Sequence, residues 1–126
     1  VNAREVPVVA LSRQNFREVV GTERIVLIEC WAPGCGVCRS FDPVCEAAST
    51  RRSGHVFVRM NVVTDDNLGE MFEISHTPAL MLYRDGLLLL KQPGVFTGEQ
   101  LDDFVVQAES LDMVQVRAEL ESRQAS

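Results

Sequence analysis

Cysteine stands at positions 30, 35, 38 and 45, so all four cysteines of this chain fall within sixteen consecutive residues. A disulfide scaffold usually spreads its cysteines to close long loops. Bunching of this kind points instead to a local chemical site. The central pair, Cys35-Gly36-Val37-Cys38, follows the turn-forming Ala32-Pro33-Gly34 and precedes a stretch in which Cys38, Phe41, Cys45 and Ala48 recur at helical spacing. A helix start carries unpaired amide donors and a partial positive charge, and both favour a thiolate over a thiol. Cys35, at the cap, is expected to be the exposed attacking sulfur. Cys38, one turn inside, is expected to be buried. Two intervening residues bring the sulfurs close enough to close a disulfide or to resolve a mixed one, the layout that thiol–disulfide exchange needs. Zinc is the rival use of such a pair. It requires four convergent ligands, and Cys30 in a strand with Cys45 deep in a helix are poorly placed to supply the other two, so no metal is expected.

The elements that must hold this pair are legible in outline. Ile25 to Trp31 is a short, nearly all-apolar run that reads as a strand covered on both faces. Val56 to Val62 and Ala79 to Tyr83 read as two further strands, and Arg84-Asp85-Gly86 as a hairpin turn into Leu87 to Gln92. Helices are expected from a Ser12 cap to Gly21, from Val37 to about Thr50 with a kink at Pro43, from Asp65, Asp66 and Asn67 to about Phe72, and from Thr97 onward. Thr97 and Gln100 have capping-box spacing. The tail from Asp112 to Ser126 is more polar and reads as a continued helix or a loosely docked segment. Strand, helix, strand, hairpin and helix in this order imply an α/β fold with a mixed sheet and helices on both faces.

With 126 residues and no repeat or linker, the chain reads as a single domain, 1–126, with a core of about 8–110 and an extension over 111–126. Twelve basic against eighteen acidic residues give a net charge of −6, which argues against nucleic acid as a partner. No apolar run is long enough to span a membrane. No charged-then-apolar leader is visible, although a first residue of Val1 is compatible with a trimmed one. The absent signal, with Cys30 and Cys45 reading as reduced core residues, favours a cytoplasmic protein.

The segment Trp31-Ala32-Pro33-Gly34-Cys35-Gly36-Val37-Cys38 resembles the thioredoxin active-site motif W-A-x-W-C-G-P-C. Pro43 matches that family's helix-kinking proline, Thr77-Pro78 its cis-proline loop and Asp85-Gly86 its hairpin turn. Gly94 and the stretch from Gly98 to Phe104 also fall in register, so the likeness covers roughly residues 8 to 110. The resemblance implies the thioredoxin fold and dithiol–disulfide exchange on protein substrates, by a monomer needing no cofactor and recharged by an upstream thioredoxin-reductase-type donor. It implies that Cys35 is the nucleophile and Cys38 the resolving cysteine. It further implies that Trp31, Gly34, Thr77, Pro78 and Gly94 form the substrate-binding surface, with a cis bond before Pro78 and the Thr77 backbone free to pair with an extended peptide.

Glu29 is the one acid in the Ile25–Trp31 strand, and by register it takes the place of the family's buried aspartate. Arg59 falls where the family usually has lysine. A proton-transfer role for Glu29 stands beside a purely structural Glu29–Arg59 ion pair and a strand-end acid that reaches solvent. Two departures flank the nucleophile: Gly34 replaces a tryptophan and Val37 a proline. They keep open a disulfide oxidase or isomerase, and also a thioredoxin-like binding module for a dedicated partner. Cys30 and Cys45 read as small hydrophobes of the core, and His76 as a solvated residue at the rim of the Thr77-Pro78 loop.

Overall fold

The computed structural model describes residues 9–22, 24–64 and 67–125. Its elements are β1 (Val9–Ala10), α1 (Phe16–Val20), β2 (Ile25–Trp31), α2 (Gly36–Arg51), β3 (Val56–Asn61), α3 (Leu68–Met71), β4 (Ala79–Arg84), β5 (Leu87–Pro93), α4 (Gly98–Glu109) and α5 (Met113–Ala125). The strands form one five-stranded sheet in the order β1-β3-β2-β4-β5. β1 and β2 run parallel to β3, while β4 is antiparallel to both β2 and β5. β2 therefore lies at the centre, and six of its seven residues are buried, as an apolar run covered on both faces requires.

The alternation of side chains along β2 splits the core in two. Val26, Ile28 and Cys30 pack with Val58, Met60 and Met81 on the face covered by α1 and α3, where Phe16, Val19 and Phe72 close the layer. Ile25 and Leu27 pack with Phe57, Leu80 and Leu82 on the other face, beneath Phe41, Cys45 and Ala48 of α2 and Leu101 and Val105 of α4. α2 and α4 are tied to each other by Asp102, whose carboxylate oxygens lie 3.1 Å from Arg51 Nε and 3.3 Å from Arg52 Nε.

Local signals account for most element ends. The Thr97 side chain accepts from the Gln100 amide at 3.1 Å, and the Gln100 side chain accepts from the Thr97 amide at 2.9 Å, completing the capping box. Asp85 and Gly86, both at positive φ, make the two-residue β4–β5 turn. Two expectations need correction. The first helix begins at Phe16 rather than at Ser12, because Ser12 and Asn15 bond each other (Ser12 N–H to Asn15 Oδ1, 2.7 Å; Asn15 N–H to Ser12 Oγ, 3.4 Å) and hold the intervening residues as a turn. The third helix is a single turn starting after Asn67, which takes a left-handed conformation; Asp65 and Asp66 lie outside the described residues. The tail is a separate helix, α5, since the chain breaks at Ser110 to Asp112. β1, too short to show a sequence pattern, pairs Val9 with Val58.

Candidate active site

β2 delivers the chain to the site and α2 carries it away. After Trp31 the backbone turns through Pro33 and Gly34, with the Cys35 amide donating to Ala32 O at 3.2 Å. Gly34 sits at φ +81°, a conformation that side-chain-bearing residues adopt only at a cost of about 1 kcal/mol. The tryptophan expected from the family's motif is thus replaced where this loop takes a left-handed step. Cys35 caps α2: its sulfur accepts from the Cys38 amide at 3.1 Å. Cys35 and Cys38 are joined as a disulfide with Cα atoms 5.3 Å apart, within the range such a bond allows. Cys38 is 2% exposed, whereas Cys35 is half-buried, so one sulfur is accessible and the other is enclosed. The N–H reaching the Cys35 sulfur belongs to Cys38. Val37, in the place of the family's proline, points outward at 54% exposure.

A second loop faces the pair. The Thr77–Pro78 bond is cis, and Thr77 O lies 3.8 Å from Cys35 Sγ. Pro78 is buried, and its carbonyl accepts from the Gly94 amide at 2.9 Å, which places Gly94 against the same loop. His76, exposed, lines a shallow cavity with Glu73 and Lys91 beside it. Cys35, Cys38, Thr77, Pro78 and Gly94 are thus brought together at one end of the sheet. Trp31, half-buried at the end of β2, is engaged on its ring by Arg59, whose guanidinium carbon stands 4.7 Å from the ring centroid.

Beneath α2 lies a polar cluster. Glu29 is 4% exposed on the sheet face that α2 covers. Its Oε1 lies 3.6 Å from Arg59 Nε, and Arg59 Nη2 donates to Asp42 Oδ2 at 3.0 Å. Burial, reinforced by the neighbouring Asp42 carboxylate, pushes the Glu29 carboxyl up to about 8 against the lowering pull of Arg59. The Cys45 thiol also touches Glu29, and burial beside that acid pushes Cys45 well above the ordinary thiol range. Cys30 faces the opposite side of the sheet, where burial pushes it up to about 12. Cys30 and Cys45 are therefore separated by the sheet itself: both fill core positions, and the four cysteines do not converge on one point. Asp42 escaped sequence reading. Its signal was its spacing, four residues after Cys38 and three before Cys45, which puts it on their side of α2.

The thioredoxin family model matches residues 7–107. A Streptomyces coelicolor protein assigned as thioredoxin 2 is 36% identical over 117 residues, covering 93% of this chain and 87% of that one. A protein disulfide isomerase-like 1-3 of Arabidopsis thaliana is 29% identical over 103 residues, which are 81% of this chain but 17% of that protein. Among solved structures, the Malassezia sympodialis thioredoxin Mala s 13 superimposes with a TM-score of 0.71 at 24% identity, over 80% of this chain and 90% of that one, a likeness of fold. Because the match runs through nearly all of the sheet and helices, and the cysteine pair stands where exchange chemistry needs it, this chain belongs to the thioredoxin family and is a thiol–disulfide oxidoreductase.

Proposed function

We propose that the protein is a disulfide reductase acting on proteins. The observation that carries this reading is the asymmetry of the pair: an accessible, amide-supported Cys35 at the cap of α2 above an enclosed Cys38. The Cys35 thiolate attacks a substrate disulfide; a Cys35–substrate bond forms, the substrate's own S–S bond breaks, and its second sulfur leaves as a thiolate. Cys38 then gives up its proton and attacks Cys35 Sγ, forming the Cys35–Cys38 disulfide and expelling the first substrate sulfur. Two electrons pass to the substrate, and an upstream reductase of the thioredoxin-reductase type restores the dithiol. Glu29, on the sheet face beneath α2, takes the Cys38 proton after releasing its own; a carboxyl raised to about 8 both gives and accepts a proton near neutral pH.

The substrate is held as an added strand along the Thr77–Pro78 backbone, flanked by Trp31, Gly34 and Gly94. The region of about 8–110 carries this activity, with 111–126 an extension. The protein works as a monomer in cytoplasmic electron transport and redox homeostasis, and its net charge of −6 disfavours nucleic acid. Among the described residues no helix is long and apolar enough to cross a membrane.

Trapping tests the mechanism. Cys35→Ser is expected to abolish turnover of a generic disulfide-bonded protein, and Cys38→Ala to accumulate mixed disulfides through Cys35; turnover that survives Cys35→Ser removes the mechanism. A second reading, disulfide donation or shuffling, draws on Val37 between the cysteines and on the isomerase-like relative. The reduction potential separates the two: a value near the thioredoxin reference of about −270 mV fits a reductase, one near −120 to −180 mV an oxidase or isomerase.

A further inference from the structure

Arg59 is one cation between two carboxyls. Its Nη2 donates to Asp42 Oδ2 at 3.0 Å, its Nε approaches Glu29 Oε1 at 3.6 Å, and its plane is pinned over Trp31 at 4.7 Å. The better contact goes to Asp42, which leaves Glu29 short of countercharge. Three atoms of this cluster are buried without a hydrogen-bond partner: Glu29 Oε2, Asp42 Oδ1 and Arg59 Nε. Two unpartnered carboxyl oxygens beside a single arginine are costly if both groups ionise. A proton held between the carboxyls removes the second charge and gives both oxygens a partner. A cavity of about 30 Å³ adjoins both carboxyls, with Cys45, Glu46 and Arg59 in its wall beside apolar Leu27 and Phe57, room for one water-sized group.

We propose that Asp42 is the outer half of a two-carboxyl relay, sharing one proton and the Arg59 cation with Glu29 and passing that proton between Glu29 and solvent in each exchange cycle. Exposure sets the direction: the Glu29 side chain is 5% accessible and that of Asp42 27%. The balance is simple. Protonated Glu29 and the Asp42 carboxylate become the Glu29 carboxylate and protonated Asp42, which then loses its proton to water. Arg59 cannot take this part, since a guanidinium keeps its proton. The groups facing Glu29 are Asp42, Cys45 and Glu46 of α2, and Arg59 of β3; on β4 it meets apolar Leu80. The raised pKa of Glu29 has the Asp42 carboxylate among its causes, in accord with a shared proton. Asp42 is thus a positioning residue for the proton, and the inference rests on the reading of Glu29 as the acceptor for Cys38.

The test follows the Glu29 carboxyl by carbon NMR in the full-length protein, wild type and Asp42→Asn, alongside the pH profile of disulfide exchange. Asp42→Asn removes a neighbouring negative charge and frees Arg59 for Glu29. Both changes lower the Glu29 midpoint, by about one pH unit or more. The corresponding limb of the exchange profile is expected to move with it, while Asp42→Glu, which keeps a carboxylate, leaves the midpoint raised. An unmoved Glu29 midpoint in a folded Asp42→Asn protein overturns the inference. A pH profile unchanged by Glu29→Gln would instead remove Glu29 from the exchange chemistry and the relay with it, whereas coupling between the two carboxyls is read from the NMR midpoint alone.

Discussion

Cys35 and Cys38 share a disulfide but not an environment, and the proposed order of attack rests on that difference. Cys35 has an amide donor on its sulfur and the Thr77 carbonyl at 3.8 Å, on the accessible side of the bond. Cys38 faces the core. Cys30 and Cys45, raised by burial, stay thiols on opposite faces of the sheet. The buried Glu29 has a consequence for stability as well as for exchange. Its folded pKa, about 8, lies above its ordinary value of 4.5, so between those limits the folded state binds more protons than the unfolded one. The associated stability is therefore complete below about pH 4.5 and is lost as pH rises toward about 8. Urea unfolding of wild type against Glu29→Gln across this window is expected to show the wild type losing ground as pH rises, at up to about 1.4 kcal/mol per pH unit. A difference independent of pH would mean that Glu29 is ionised throughout. At this scale the cysteine pair was legible because its chemistry is carried by identity and spacing. Asp42 was not, because a carboxylate on a helix usually faces water and only the opposing strand reveals that this one meets Glu29 and Arg59.

Among the elements, α2 does most of the positioning. Its first turn holds the sulfurs, its middle presents Asp42 and Cys45 to β2, and its last turn reaches α4 through Arg51 and Arg52. Pro43 sits inside this helix, where a missing N–H leaves one intrahelical bond unmade. α4 depends on both of its ends. Its start is the Thr97–Gln100 capping box, and its end is held by Arg84 of β4, whose Nη1 donates to Ala108 O at 2.6 Å, to Glu109 O at 3.2 Å and, just past the helix, to Leu111 O at 3.1 Å. Thr97→Ala removes an acceptor for the Gln100 amide and is expected to cost about 1 kcal/mol. Thermal unfolding should register this as a fall of about 4 °C, with exchange unchanged; an unchanged midpoint would show that the first turn is held by packing alone. The central strands, the hairpin and α4 were readable because period and capping residues agreed with burial. The start of α1 was not, because a Ser12–Asn15 pair forms a turn as readily as a helix cap. Nor was β1, whose partner Val58 is supplied only by the folded sheet.

In the molecule as a whole, the sheet works as a partition. One face, under α1 and α3, is apolar packing; the other, under α2 and α4, holds apolar packing and the Glu29–Arg59–Asp42 cluster, which reaches Trp31 through Arg59. The order β1-β3-β2-β4-β5 puts β2 in the middle, so the strand that ends at the cysteine loop is the central one, paired with β3 on one side and β4 on the other. α5 stands apart from this arrangement. None of residues 113–124 is buried, Val114 is 81% exposed, and Arg117 donates to Asp85 O at 3.3 Å across to the hairpin. Asp112 caps the helix locally, its Oδ1 accepting from the Val114 and Gln115 amides at 3.1 and 3.3 Å. A chain ended after Asp112 keeps Leu111 and with it all three carbonyls held by Arg84. Because what is removed is accessible surface, the shortened protein is expected to unfold within about 1 kcal/mol of the full chain in urea and to exchange disulfides at the same rate. A loss of several kcal/mol would make α5 part of the cooperative core. Intact stability with slower exchange on protein substrates would make it part of their recognition.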